Sequence, residues 1–383
     1  MVGRSVKVSY SVKATGSYSA NASSFHDWSE VSQRIMSLLG GNAACVGYVS
    51  YSAASMMEKL PYKPPSPFFD VEFASFSSLV ELNTPLNQFV DDARNATTEL
   101  PESEFLSDSL GKTGYESAVT RAKRYVKSGD VFQVVPARRM RFSTSSDWGS
   151  VFARLVALNP SAYMYYLKFA ERRIIGSSPE TLIDVRGESA ATFPIAGTRQ
   201  ITGDQEEDRK LRLELLASEK DAAEHVMLVD LARNDLGRVC KIGTVRVPLY
   251  RKVISYSHVQ HIVSKVTGRL LDGVDALDAF RSVFPAGTVS GAPKIRAMEI
   301  IDELEPCARG PYAGAVGIVR GTRSADFAIN IRSLSAIGNN CYVGVGAGVV
   351  ADSDPEQEFM ETQHKASALL TALRANPLAI RGG

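Results

Sequence analysis

The stretch NNCYVGVGAGVVADSDPEQEFMETQHKA, residues 339–366, holds the turn on which the fold class hangs. Its first part reads as a buried strand that runs into Gly346, Ala347 and Gly348. Asp354 and Pro355 then open a helix, with Asp at the N-cap and Pro at the first helical position. Strand, glycine turn and helix in that order match a dinucleotide fingerprint, G-x-G-x-x-A, over Gly346 to Ala351. The fingerprint also needs a second strand with an acidic residue roughly 20 residues further on. Here the helix is followed by NPLAIRGG, so the unit does not close and a doubly wound nucleotide-binding sheet is set aside. Gly287 to Lys294 (GTVSGAPK) fails as a phosphate loop, because the spacing is wrong and Ile295 stands where Ser or Thr is required.

Upstream of that stretch, helix and strand signals alternate from Tyr115 onward without a break in composition. A helix is expected over YESAVTRAKRYVKSGD, then a strand FQVVPARRMRF, a helix WGSVFARLVALNP, and strands AYMYYLKFA and RRIIGSSPETLIDV. Two helices follow: one from about Gln205 to Leu216, the next with Ser218 as N-cap and Asp221 three residues on, as in a capping box, closing at Gly237. The first 75 or so residues read as strands (SVKVSYSV, ACVGYVSYS) with one helix near DWSEVSQRIMSLL. LPYKPPSPFF is an irregular crossing, and a helix is expected around TPLNQFVDDARNATTEL. A soft boundary near 110 divides an N-terminal subdomain, 1–110, from a larger unit, 111–383.

The 383 residues carry 43 basic and 42 acidic side chains, a net charge of +1, which gives no general pull toward nucleic acid or acidic lipid. With 44% hydrophobic and 22% charged residues the chain can bury a large core, and wholesale disorder is excluded. Cys45, Cys240, Cys307 and Cys341 lie far apart, as reduced thiols of a cytoplasmic protein do. No apolar run reaches the roughly 18 residues of a spanning helix, and the N-terminus has no apolar signal core.

Two acidic pairs stand out. Asp221 and Glu224 share one face of a helix, and Glu358 and Glu361 share one face of another. Four carboxylates converging from two helices call for a positive charge between them, and a hard divalent cation such as Mg²⁺, which takes oxygen ligands and keeps waters, fits. Two solvated helix faces are the plain alternative, with Lys365 an ordinary salt-bridge partner of Glu361. His225 and His261 sit in apolar or mixed segments where a histidine is commonly structural. No nucleophile elbow, H-E-x-x-H zinc site or known Cys-nucleophile signature occurs. Spacing alone therefore leaves a magnesium-assisted reaction on a small anion beside the plain reading.

A resemblance goes further. PIAGTRQ (194–200), SEKDAAEHVMLVDLARNDLGRV (218–239), FPAGTVSGAPKIRAMEIIDELEP (284–306), GPYAGAVGIV (310–319), AINIRS (328–333) and GAGVVADSDPEQEFMETQHKA (346–366) together closely resemble the chorismate-utilising enzymes, in the family's order, from about Tyr115 to Leu373. The resemblance implies an α/β (α+β) fold in which two large antiparallel sheets pack together with helices outside. It implies chorismate as substrate and Mg²⁺ as cofactor, with Glu224 and Glu361 as direct ligands and Asp221 and Glu358 holding metal waters. Most relatives carry Glu at the position of Asp221. Tyr312, Arg332 and the backbone around Gly346, Ala347 and Gly348 would hold the enolpyruvyl carboxylate, Arg332 through its bidentate fork. Lys365 would add charge near the metal, Glu180 would protonate the departing 4-hydroxyl from a raised pKa, His261 would assist ring chemistry, and Thr198, beside Gly197, would touch the hydroxyl region.

Two positions sort the branches of the family. Members that add water carry a Lys base where this chain has Gln133, and Gln suits ammonia, which brings its own lone pair. Members that aminate C4 commonly carry a Lys where this chain has Ala196. The resemblance is therefore to the large, synthase subunits of anthranilate synthases, with the C4-aminating aminodeoxychorismate synthases as the alternative and isochorismate synthases behind them. A non-enzymatic dicarboxylate-binding protein would need only the Arg332 and Tyr312 end. No amidotransferase motif is present, so a separate glutamine amidotransferase subunit supplying ammonia is expected. Tryptophan is expected as a candidate feedback inhibitor against NPSAYMYYL (159–167), although the usual Leu-Leu-Glu-Ser partner element is not found and GSYSANASS stands in its region.

Overall fold

The computed structural model describes residues 5–11, 14–20, 27–60, 66–95, 100–255 and 259–375. Two antiparallel sheets organise them. The smaller has six strands in the spatial order Glu104–Asp108, Ala137–Ser143, Asn340–Gly346, Ser333–Ile337, Arg172–Ser178 and Tyr163–Phe169. The larger runs Ile195–Gln200, Val259–Arg269, Ser189–Thr192, Thr181–Arg186, Ser324–Ile329, Ala315–Gly321, Ala44–Val49, Val71–Phe76 and Ala14–Ala20, with Arg246–Ser255 also on Val259–Arg269. The sheets face each other through Tyr48, Phe68, Ile174 and Val316, with Tyr165, Leu167, Phe169, Ile337 and Tyr342 against them. Helices cover the outer faces. The helix Trp28–Leu39 and the helices Glu219–Gly237 and Ala276–Val283 pack on the large sheet, and Trp148–Leu158 and Pro355–Ala372 on the small one.

The expected architecture of two packed antiparallel sheets with helices outside is therefore found. N-terminal strands are part of it: Ala44–Val49 pairs with Ala315–Gly321, and Glu104–Asp108 extends the small sheet. Local signals hold at the caps. Asp27, Asp204 and Asp354 accept from backbone amides at the starts of their helices. Ser218 accepts from Asp221 N, while its own N–H closes the preceding helix on Glu214 O, so half of the expected capping box forms.

Two segments differ from their reading as single strands. FQVVPARRMRF is broken at Pro136, which has no N–H to give a ladder, into Gln133–Val134 and Ala137–Ser143. RRIIGSSPETLIDV is one ribbon that changes sheets: Arg172–Ser178 pairs with Ser333–Ile337 in the small sheet, and Thr181–Arg186 pairs with Ser324–Ile329 in the large one. The bend falls at Pro179-Glu180 on one strand and Asn330 to Arg332 on the other. It is tied by Ile329 N to Glu180 O and Ser177 N to Arg332 O, both 3.0 Å.

Candidate active site

That bend puts Glu180 and Arg332 in the seam between the sheets. Glu180 is 9% exposed, and burial pushes its carboxyl up to about 7; the Thr288 hydroxyl, donating to Oε1 at 2.9 Å, and the nearby Lys365 act in the opposite sense. Arg332 sits in the left-handed region at φ 50°, and burial lowers the pKa of its guanidinium. Among the described residues no carboxylate lies within ion-pair distance of it, while the Glu361 carboxylate exerts a field that favours its charge. Burial raises Tyr312 to about 12, so the phenol stays protonated. A cationic fork beside a neutral hydroxyl is a receptor for a carboxylate.

On the opposite side the helices Glu219–Gly237 and Pro355–Ala372 bring their acidic pairs into mutual range. Glu224 is raised by burial and then by Asp221 and Glu361; Glu358 is raised by burial and by Glu361. Gln133 donates from Nε2 to Glu224 Oε1 at 3.0 Å, and its own Oε1 is buried without a hydrogen-bond partner among the described residues. Lys365 donates to Gly346 O at 3.0 Å and pairs with Glu361 at 2.7 Å. His261 Nδ1 lies 3.0 Å from both the Thr198 hydroxyl and the Gly197 carbonyl, and burial lowers its pKa, keeping the ring neutral. Ala196 is a buried strand residue paired with Ile262.

The chosen residues gather in one region, and several of them are already engaged with other groups. The Ala347 N–H is already donated to the Tyr115 hydroxyl at 3.0 Å, and Ala347 is wholly buried, so it is not a free donor for a ligand. The four carboxylates do not form a preformed cage: Asp221 is held by Arg199 at 3.1 Å, Glu361 by Lys365, and no group of three His, Cys, Asp or Glu side chains among the described residues surrounds one point. The donor chemistry nevertheless suits a hard divalent cation. Two carboxylates driven up by burial and then by their acidic neighbours are relieved by such a charge, and half-exposed Glu361 and Lys365 can exchange partners.

Sequence reasoning missed four participants. Thr288 lies inside GTVSGAPK, set aside when the phosphate loop failed, and Arg199 lies inside PIAGTRQ without any spacing that marks it. Tyr115 tethers the glycine turn from a different helix, donating to Pro136 O at 3.1 Å. The Glu305–Arg309 pair supports the Gln133 segment. Arg309 donates to Val135 O and Val289 O, and Glu305 accepts from Ala137 N. None of these carries a local signal, because each acts through a partner far away in sequence.

A family model described as chorismate binding enzyme matches residues 5–371. Anthranilate synthase component 1 of Saccharolobus solfataricus is 46% identical over 343 residues, covering 86% of this chain and 80% of that protein. The protein of the same name from Methanothermobacter thermautotrophicus is 44% identical over 342 residues, 86% of this chain and 74% of that one. The crystal structure of anthranilate synthase component I from Streptococcus pneumoniae superposes with a TM-score of 0.83 at 31% identity, over 95% of this chain and 92% of that one. A menaquinone-specific isochorismate synthase from Escherichia coli, at 23% identity and a TM-score of 0.73, shares the fold.

Proposed function

The chain belongs to the chorismate-binding enzymes, and from that premise we propose that it acts as the synthase component of an anthranilate synthase. It is a lyase of tryptophan biosynthesis that converts chorismate and ammonia to anthranilate, pyruvate and water. The observation that supports the site assignment is that Glu180, buried and raised to about 7, and Arg332 lie on the two strands of one sheet-to-sheet bend, with the loop of Tyr312 tied to the same bend through Asn330.

Arg332 and Tyr312 grip the enolpyruvyl carboxylate, with the backbone at Gly346 and Gly348 beside them. Glu180, half protonated near neutrality, gives its proton to the departing 4-hydroxyl, which leaves as water. Gln133 has no proton to accept at neutral pH; its unpartnered Oε1 takes an N–H of ammonia and aims the nitrogen lone pair at C2. Pyruvate then leaves and the ring loses a proton to become aromatic; we assign His261, with Thr198 and Gly197 fixing its ring, to that stage. Mg²⁺ held by Glu224 and Glu361, with Asp221 and Glu358 acting through its waters, would supply charge for the ring carboxylate, and Lys365 would add to it.

Ammonia reaches the site from a separate glutamine amidotransferase subunit, in a cytoplasmic assembly; all four cysteines are free and no described helix is long and apolar enough to cross a membrane. Residues 111–383 carry catalysis. Residues 1–110, with 159–167, carry a regulatory site for tryptophan; part of GSYSANASS lies outside the described residues. The test is fluorescence of purified protein with chorismate, Mg²⁺ and excess ammonium, followed by product chromatography. Anthranilate emission that EDTA abolishes is the expected result. A non-aromatic amino product would instead assign C4 amination and overturn the reading of Ala196.

A further inference from the structure

Arg332 is half-buried, sits at a backbone angle that L residues rarely adopt, and is not held by a salt bridge to any described residue. Something else must fix its direction. The residues on either side of it supply the answer. Asn330 is wholly buried and every hydrogen-bonding group it has is engaged: its backbone N–H goes to Gly314 O at 2.9 Å, its C=O accepts from Ala313 N at 2.9 Å, and its Nδ2 donates to Pro311 O at 2.7 Å. Those three partners, Pro311, Ala313 and Gly314, bracket Tyr312. One asparagine thus ties the loop that carries the phenol to the strand end that carries the guanidinium.

The remaining group, Asn330 Oδ1, accepts from the Tyr165 hydroxyl at 2.7 Å. The Ser333 side chain lies near the same hydroxyl, so Tyr165 reaches toward the residues at 330 and 333 on both flanks of Arg332. Tyr165 stands on the edge strand Tyr163–Phe169 and must cross the neighbouring strand to get there. It crosses over Gly176, where a Cβ would lie 2.3 Å from its Oη and 2.4 Å from Cζ. Only a residue without a side chain leaves that passage open.

We propose that Tyr165 and Asn330 are positioning residues for the carboxylate grip: the Tyr165 hydroxyl, passing over Gly176, locks Asn330, and Asn330 sets Arg332 and Tyr312 at the spacing a substrate carboxylate needs. Neither residue touches the substrate. The inference rests on the assignment of Arg332 and Tyr312 under the proposed function, and goes beyond it by naming what holds them and through which path.

The ring of Tyr165 is partly buried, packed against Tyr48, Phe68, Ile174 and Val316, so Tyr165→Phe keeps the packing and removes one hydroxyl. It is expected to raise KM for chorismate about tenfold with kcat within twofold, leave KM for ammonia unchanged, and keep a single cooperative thermal transition. Asn330→Leu should give a larger rise, and the double variant Tyr165→Phe/Asn330→Leu should be no worse than Asn330→Leu alone, because one path is cut twice. Asn330→Gln or Asn330→Ser recovering part of the affinity would mark a positioning role rather than core volume. Unchanged KM in Tyr165→Phe, or additive losses in the double variant, overturns the proposal. Arg332→Ala separates the two levels. If it leaves KM for chorismate at the wild-type value, the assignment of the grip itself is wrong; if it raises KM while Tyr165→Phe does not, only the positioning path fails.

Discussion

Gly348→Ala is the sharpest local test of the site. The glycine does not sit in the left-handed region, so alanine adopts its backbone without strain. The obstacle is one side chain. The added Cβ would lie 2.2 Å from Gln133 Nε2, with Gln133 Cδ and Cγ the next nearest atoms at 3.4 and 3.8 Å. Ordinary contact needs about 3.5 Å, so the amide must move by about 1 Å or more. Moving it breaks the 3.0 Å bond to Glu224 Oε1, and because Gln133 is only 3% exposed the displaced donor finds no water. A hydrogen bond to a charged group is worth about 1.5–3 kcal/mol, which corresponds to roughly 10- to 100-fold in kcat/KM for chorismate. The assay is initial-rate anthranilate fluorescence at saturating ammonium for four proteins: wild type, Gly348→Ala, Gln133→Ala and the double variant. Truncating Gln133 removes the three atoms nearest the new methyl, so the double variant should match Gln133→Ala. Wild-type turnover in Gly348→Ala, or losses that multiply in the double variant, would refute the reasoning.

Three further outcomes are expected. Glu180 must be protonated to act, and burial places its pKa at about 7, so kcat/KM for chorismate at constant free ammonia should decline on the alkaline side of about pH 7; Thr288→Val removes a bond that favours the carboxylate and should move that limb upward, and a limb unmoved by this change would reject the assignment. Glu361→Gln should leave a folded protein that has lost both magnesium-dependent turnover and the rise in Tm that Mg²⁺ gives the wild type, a combination that a solvated helix face would not produce. Arg309→Met takes the guanidinium from buried Glu305, the pair being 3% and 4% exposed, and should cost about 3–5 kcal/mol in urea unfolding; a loss below about 1 kcal/mol would show that the pair is dispensable.

What the sequence determined by itself is what neighbours along the chain decide. The caps at Ser218 and Asp354, the helix periods, and the two acidic pairs three residues apart are local, and all were legible. The order of motifs then gave the family, and with it the sheets. What the tertiary structure decided is which of those groups are already engaged. Ala347 N–H belongs to Tyr115, 232 positions away, so an amide that looked available is not. Asp221 and Glu361 turn to Arg199 and Lys365 rather than to one another, so four carboxylates placed on the right faces do not by spacing alone make a cage. RRIIGSSPETLIDV reads as one strand, yet its halves pair in different sheets, and the bend between them makes Glu180 a buried acid. The physical reason is the same in each case. Side-chain periodicity fixes the face a residue occupies, whereas burial, pKa and hydrogen-bond commitment depend on partners brought together only when the sheets close.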